Sequence, residues 1–142
     1  MKPVVITGVS TGIGYGATEV LIDKGFHVFG SVRNKADAER LSAEFGAGFT
    51  PLIFDVTDAQ GIKAAAALVR EQLRGQRLSG LVNNAGIAAT GPLLEIAPDA
   101  VRSAREVNLI GPLMVTQAFA PLLGVDPALS RRALMRDIVN TR

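Results

Sequence analysis

Four short apolar runs, Pro3 to Ile6, His27 to Val32, Pro51 to Phe54 and Leu81 to Asn83, alternate with longer segments of helical composition, Ile13 to Lys24, Ala36 to Phe45 and Ala59 to Arg74. Strands joined through helices must run parallel, and a parallel sheet needs helices over both faces. The alternation therefore predicts an α/β, doubly wound parallel sheet of four or five strands. Gly25, Gly46 and Gly75 stand where each helix should stop, and Asp58 is placed to cap the third. A fourth helix is expected from about Asp99, behind Pro98, to about Leu123, kinked at Gly111-Pro112. Residues 1–123 read as one domain and 124–142 as a basic tail. In the tail Asp126-Pro127 and Ala128 to Met135 favour a helix, while Asp137 to Asn140 suit a fifth strand, and both readings stay open.

Composition narrows the function classes. The chain is 48 % hydrophobic and 20 % charged, a globular balance rather than a disordered one. Its net charge of +2 comes from Arg131, Arg132, Arg136 and Arg142 near the end; residues 1–130 hold 12 acids against 11 bases, which argues against a nucleic-acid partner. There is no cysteine, hence no disulfide, thiolate metal site or cysteine nucleophile. The apolar start is too short for a signal peptide. Val107 to Leu123, interrupted by Asn108, Gln117 and two prolines, falls short of a membrane span, so the expected location is cytoplasmic.

The strongest local signal is Thr7-Gly8-Val9-Ser10-Thr11-Gly12-Ile13-Gly14, between the first strand and the first helix. A dinucleotide's pyrophosphate needs a tight turn, a backbone clear of side chains and free amides at a positively polarised helix start. Glycines at 8, 12 and 14 answer those needs, and the first βα turn is where an open parallel sheet binds such a ligand.

The spacing Thr-Gly-x-x-x-Gly-x-Gly resembles the short-chain dehydrogenase/reductase family. Asp55-Val56 after the third strand, Asn83-Asn84-Ala85-Gly86 after the fourth and Asn108 in the next helix agree with it. The resemblance runs from about Lys2 to Leu123 and implies a Rossmann-like fold with a nicotinamide cofactor. It implies a phosphate cradle at Gly8, Ser10, Thr11, Gly12, Ile13 and Gly14. Asp55 would accept from the adenine amino group beside Val56, and the ribose would rest on Asn83, Ala85 and Gly86. Where an NAD site carries an acid this chain has Val32, followed by Arg33 and Asn34. A guanidinium there suits a 2′-phosphate, so the expectation is NADP(H) over NAD(H). Blander readings stay open: Arg33 as a solvated loop cation, Asp55 as a helix cap, and residues 83–86 as a plain turn.

Asn108 has a separate argument, because Pro112 has no N–H to offer the carbonyl of residue 108. That carbonyl is free to bind water, as the resemblance implies for a proton-relay position; an ordinary proline kink is the alternative. The family's serine and its tyrosine with a lysine four residues later are missing. The sole tyrosine is Tyr15, followed four residues on by Glu19. The sole histidine, His27, reads as structural, and no metal site is expected. The sequence thus resembles the cofactor half of such an enzyme, truncated before its catalytic residues. Uncovered apolar faces would favour a homo-oligomer or a partner chain. A cofactor-sensing protein, or a product with a vestigial site, is the alternative.

Overall fold

The computed structural model describes residues 2–124. Strands β1 (Lys2–Ile6), β2 (Phe26–Val32), β3 (Phe49–Ile53) and β4 (Gly80–Val82) form one parallel sheet in the order β3-β2-β1-β4. Helices α1 (Gly12–Asp23), α2 (Lys35–Phe45) and α3 (Ala59–Leu73) follow the first three strands. After β4 come α4 (Pro98–Arg105), a π turn (Glu106–Ile110), α5 (Gly111–Phe119) and a 3₁₀ turn (Ala120–Leu123). The expected strand and helix readings for the tail, and its basic cluster, lie outside the described residues.

The period-two alternation of the strands explains the two-sided burial. Val4, Ile6 and Val28 join Leu41 of α2 in one core, with Leu21 and Ile22 of α1 against it. Val5, Phe29 and Leu52, one residue out of phase, join Ile62 and Val69 of α3 and Val115 and Phe119 of α5 in the other. The sheet reverses direction of growth at β1, whose neighbours β2 and β4 lead to helices on opposite faces. That reversal opens a crevice at the carboxyl ends of the strands.

Asp58 caps α3 as expected, its carboxylate accepting from the Gln60 amide at 3.0 Å. Asn34 caps α2 in the same way. The interruption expected at Gly111-Pro112 takes the form of the π turn: the Gly111 N–H reaches the Glu106 carbonyl five residues back. Pro112, lacking an N–H, is then tolerated at the start of α5.

One sequence expectation needs correction. The helical run Pro98–Leu123, 26 residues with a window of mean hydropathy 1.2, is long and apolar enough to cross a membrane on length and composition. The shorter stretch from Val107 had omitted α4. Of that window 22 % is buried, Val115 and Phe119 packing in the core with α3 while most of the run stays exposed or half-buried.

Candidate cofactor site

The crevice is a cavity of about 360 Å³, walled by the segments that leave all four strands. Its floor is built by hydrogen bonds that the strand ends make with one another. The Thr7 side chain is buried, and its hydroxyl accepts from the amides of Asn84 and Ala85, both at 3.0 Å. The Asn84 side-chain amide donates back to the carbonyls of Thr7 and Gly8 at 3.0 and 2.8 Å. From the other side, Ser31 accepts the Gly8 N–H on its hydroxyl at 2.9 Å and the Val9 N–H on its carbonyl at 3.0 Å. The glycine turn is thereby pinned between β2 and the segment after β4.

The three glycines do different work. Gly8 has φ +71°, and a Cβ there would lie 2.8 Å from the Ala85 Cα. A Cβ on Gly14 would lie 2.2 Å from the Gly8 carbonyl oxygen and 2.4 Å from the Asn84 side-chain nitrogen. These two are required by packing. Gly12, at φ +63°, has open space where its Cβ would be. Helix α1 then starts without a side-chain cap from Thr11, which leaves its first-turn amides to solvent or to an anion. Ser10, Thr11 and Ile13 line the cavity around this start, whereas Gly12 and Gly14 do not. A cradle with an uncapped helix start and no side chain over it fits a pyrophosphate.

At the end of β2, Val32 and Arg33 line the cavity with no acid between them. Arg33 makes no ion pair among the described residues. Asn34 does not reach the cavity: its side chain accepts from the Asp37 N–H at 2.8 Å and donates to the Asp37 carboxylate at 2.9 Å.

After β3, Phe54, Asp55 and Val56 form the facing wall. One Asp55 oxygen accepts from the Thr57 amide at 2.9 Å and the Thr57 hydroxyl at 2.7 Å. Those bonds, the backbone one foremost, hold its carboxyl below the usual range, and the Arg33 charge adds to the effect. Asp55 is therefore a fixed anion at the wall, while Asp58 does the helix capping.

After β4, Ala85 and Gly86 line the cavity and Asn83 does not; Asn83 donates instead to Thr116 of α5 at 3.1 Å. Asn108 also lies off the cavity. Its side chain accepts from the Ile87 N–H at 2.9 Å and donates to the Ile87 carbonyl at 2.7 Å, clamping the loop like one rung of a strand ladder.

Sequence reasoning passed over Ser31 and Asn84 as wall residues, and Ile87 and Val107 at the far end. A serine inside an apolar strand was a usable signal for the first, since a buried hydroxyl needs a partner. Tyr15 lies off the cavity as well, its hydroxyl donating to Glu44 of α2. That bond raises the phenol's pKa above its usual value. Among the described residues no group of His, Cys, Asp or Glu could hold a metal ion.

A parallel sheet that changes direction at β1, with a glycine turn opening onto an uncapped helix, defines a Rossmann-type nucleotide-binding domain. The model for the short chain dehydrogenase family matches residues 2–128, and the chain belongs to that family. It is 39 % identical over 124 residues to the NADPH-dependent 3-dehydrocapnine reductase of Ornithobacterium rhinotracheale, covering 87 % of this chain and 44 % of that protein. It is 36 % identical over 123 residues to dehydrogenase/reductase SDR family member 9 of Bos taurus, covering 86 % and 39 %. Among solved structures it superposes on an NADPH-bound carbonyl reductase from chicken fatty liver, with TM-score 0.79, 33 % identity, and 86 % and 51 % of the two chains covered. A 3-ketoacyl-(acyl-carrier-protein) reductase from Brucella melitensis complexed with NADH gives TM-score 0.78 at 27 % identity, covering 85 % and 49 %. The chain thus spans about half the length, or less, of these relatives.

Proposed function

We propose that these 142 residues form the NADP(H)-binding half of a short-chain oxidoreductase, with residues 1–123 as the cofactor domain. The observation that carries this is the rim at the end of β2: Arg33 lines the cavity with no carboxylate partner, and Val32 stands where an acid would exclude a 2′-phosphate. The NADPH-dependent relative and the NADPH-bound neighbour support the same choice, while the NADH-complexed neighbour keeps the comparison of cofactors necessary.

When bound, NADPH would supply a hydride. The chain's own residues would bind and orient it. Amides at the start of α1 would take the pyrophosphate, Asp55 would accept from the adenine amino group, Arg33 and Ser10 would take the 2′-phosphate, and Ala85 and Gly86 would let the ribose lie against the backbone. Asn108, clamped to Ile87, would hold the loop that shapes the far end.

The one tyrosine, Tyr15, is turned to Glu44 and is followed four residues on by Glu19 rather than a lysine, and among the described residues no tyrosine lines the cavity to protonate an alkoxide. This polypeptide alone is therefore expected to bind cofactor without reducing ketones or aldehydes. Calorimetric titration is the test: tighter binding of NADPH than NADH supports the reading, and preference for NADH overturns it.

Self-association belongs to the same reading. Val101, Leu109 and Leu113 lie along the α4-to-α5 run with roughly half or more of their surface exposed, at 49, 62 and 52 %. Leu93 and Leu94 in the preceding loop are exposed at 88 and 98 %. So much apolar surface favours a second copy or a partner chain over a monomer.

A further inference from the structure

A second cation, Arg40 of α2, is bonded to the cavity wall without itself lining the cavity. Arg40 reaches back from α2 and donates through Nη2 to the Ser10 carbonyl oxygen at 2.8 Å, and to the Asp37 carboxylate at 3.0 Å. Its other terminal nitrogen, Nη1, lies 3.7 Å from Glu44. Ser10 is part of the cavity wall.

We propose that Arg40 is a discriminating contact for the adenosine 2′-phosphate, delivered to the mouth of the cavity from α2; the proposal rests on the NADP(H) reading above. A bare carbonyl oxygen beside an incoming phosphate repels it. Covered by a guanidinium N–H, the Ser10 carbonyl is neutralised, and a positive charge stands beside the backbone of a wall residue. The guanidinium carries five N–H donors in a fixed fork, and Arg40 is not buried: its side chain is 46 % exposed. Together with Arg33 it would place two cations about the phosphate, an arrangement that favours paired, charge-assisted hydrogen bonds. NADH, which has a hydroxyl there, would gain nothing from the second charge. Asp37 opposes the effect. It is held by both Asn34 and Arg40, so it draws on the same guanidinium that the phosphate would use.

The test is titration of the full 142-residue chain and its variants with NADPH and with NADH, at low and at raised salt. R40A is expected to weaken NADPH about tenfold, the loss typical of one hydrogen bond to a charged group, and NADH less than about twofold. R40K should recover part of the difference, and D37N should tighten NADPH without tightening NADH. Equal losses for the two cofactors in R40A would reduce Arg40 to a pin for the glycine turn and overturn the proposal, as would no loss at all. If R40A fails to fold by circular dichroism, the NADPH-to-NADH ratio in R40K and D37N decides in its place, and an unchanged ratio in both overturns the proposal. Failure of the unaltered chain to bind either dinucleotide would instead bring down the underlying reading.

Discussion

Thr7 shows how much a single residue carries here. Its hydroxyl is the acceptor for two backbone amides, at Asn84 and Ala85, and it is 1 % exposed. Thr7→Val keeps the shape and removes the acceptor, leaving two half-buried N–H groups unmatched. Urea denaturation should show a loss of about 2 kcal/mol or more. A loss within measurement error would mean that the strand ends are not joined through this hydroxyl. Gly14→Ala should cost about 1–3 kcal/mol by overpacking, since its Cβ has nowhere to go between Gly8 and Asn84. His27 gives a pH signature. Its ring nitrogen sits 2.9 Å from the Thr50 hydroxyl, and burial lowers its pKa below the usual imidazole value. The unfolded chain then binds the proton more readily than the folded one. Stability is full above about pH 6.5 and declines as pH falls through that value toward the folded pKa. Replacing His27 with Gln should flatten the decline below about pH 6.5, and an unchanged slope would assign it to other groups.

At the scale of elements, the strands and the first three helices were legible to within one or two residues because glycine and capping residues punctuate them. Asp58 is an instance: an acid just before an Ala-rich apolar stretch marks a helix start, and its carboxylate does bind the Gln60 amide. Asp58→Ala should lower stability by about 1 kcal/mol, read as a shift in the denaturation midpoint without a change in slope. The π turn was not legible. Pro112 announced an interruption, but whether a helix kinks or takes in an extra residue is settled by what packs around it. Here Gly111 sits against Val56, where a Cβ would come within 3.0 Å of the valine side chain and 3.2 Å of its carbonyl oxygen. The two adjacent asparagines follow a related logic. Successive residues leaving a strand point to opposite sides, so Asn83 goes to α5 and Asn84 to the glycine turn. Motif matching alone placed Asn83 at the cofactor. Arg40 was missed for another reason: its acidic neighbours at helical spacing, Asp37 and Glu44, suggest a solvated surface pair, and only the fold brings Ser10 within reach.

Over the described residues the molecule is a Rossmann-type domain with a crevice at its strand ends and exposed apolar side chains along the α4-to-α5 run. The crevice was legible because its walls come from the ends of four consecutive strands, each marked by a short motif. The apolar surface was legible only in outline, since it depends on which residues of the α4-to-α5 run the core leaves uncovered. Light scattering during size-exclusion chromatography should give a mass above that of one 14.9 kDa chain, and a clean monomer would contradict self-association through this face. Everything functional turns on whether the start of α1 grips a dinucleotide, and titration calorimetry of the purified 142-residue chain with NADPH tests that most directly. Saturable binding at one site per chain, tighter than for NADH and weakened by salt, is the predicted result. Absence of heat and of any thermal stabilisation at millimolar NADPH would contradict it.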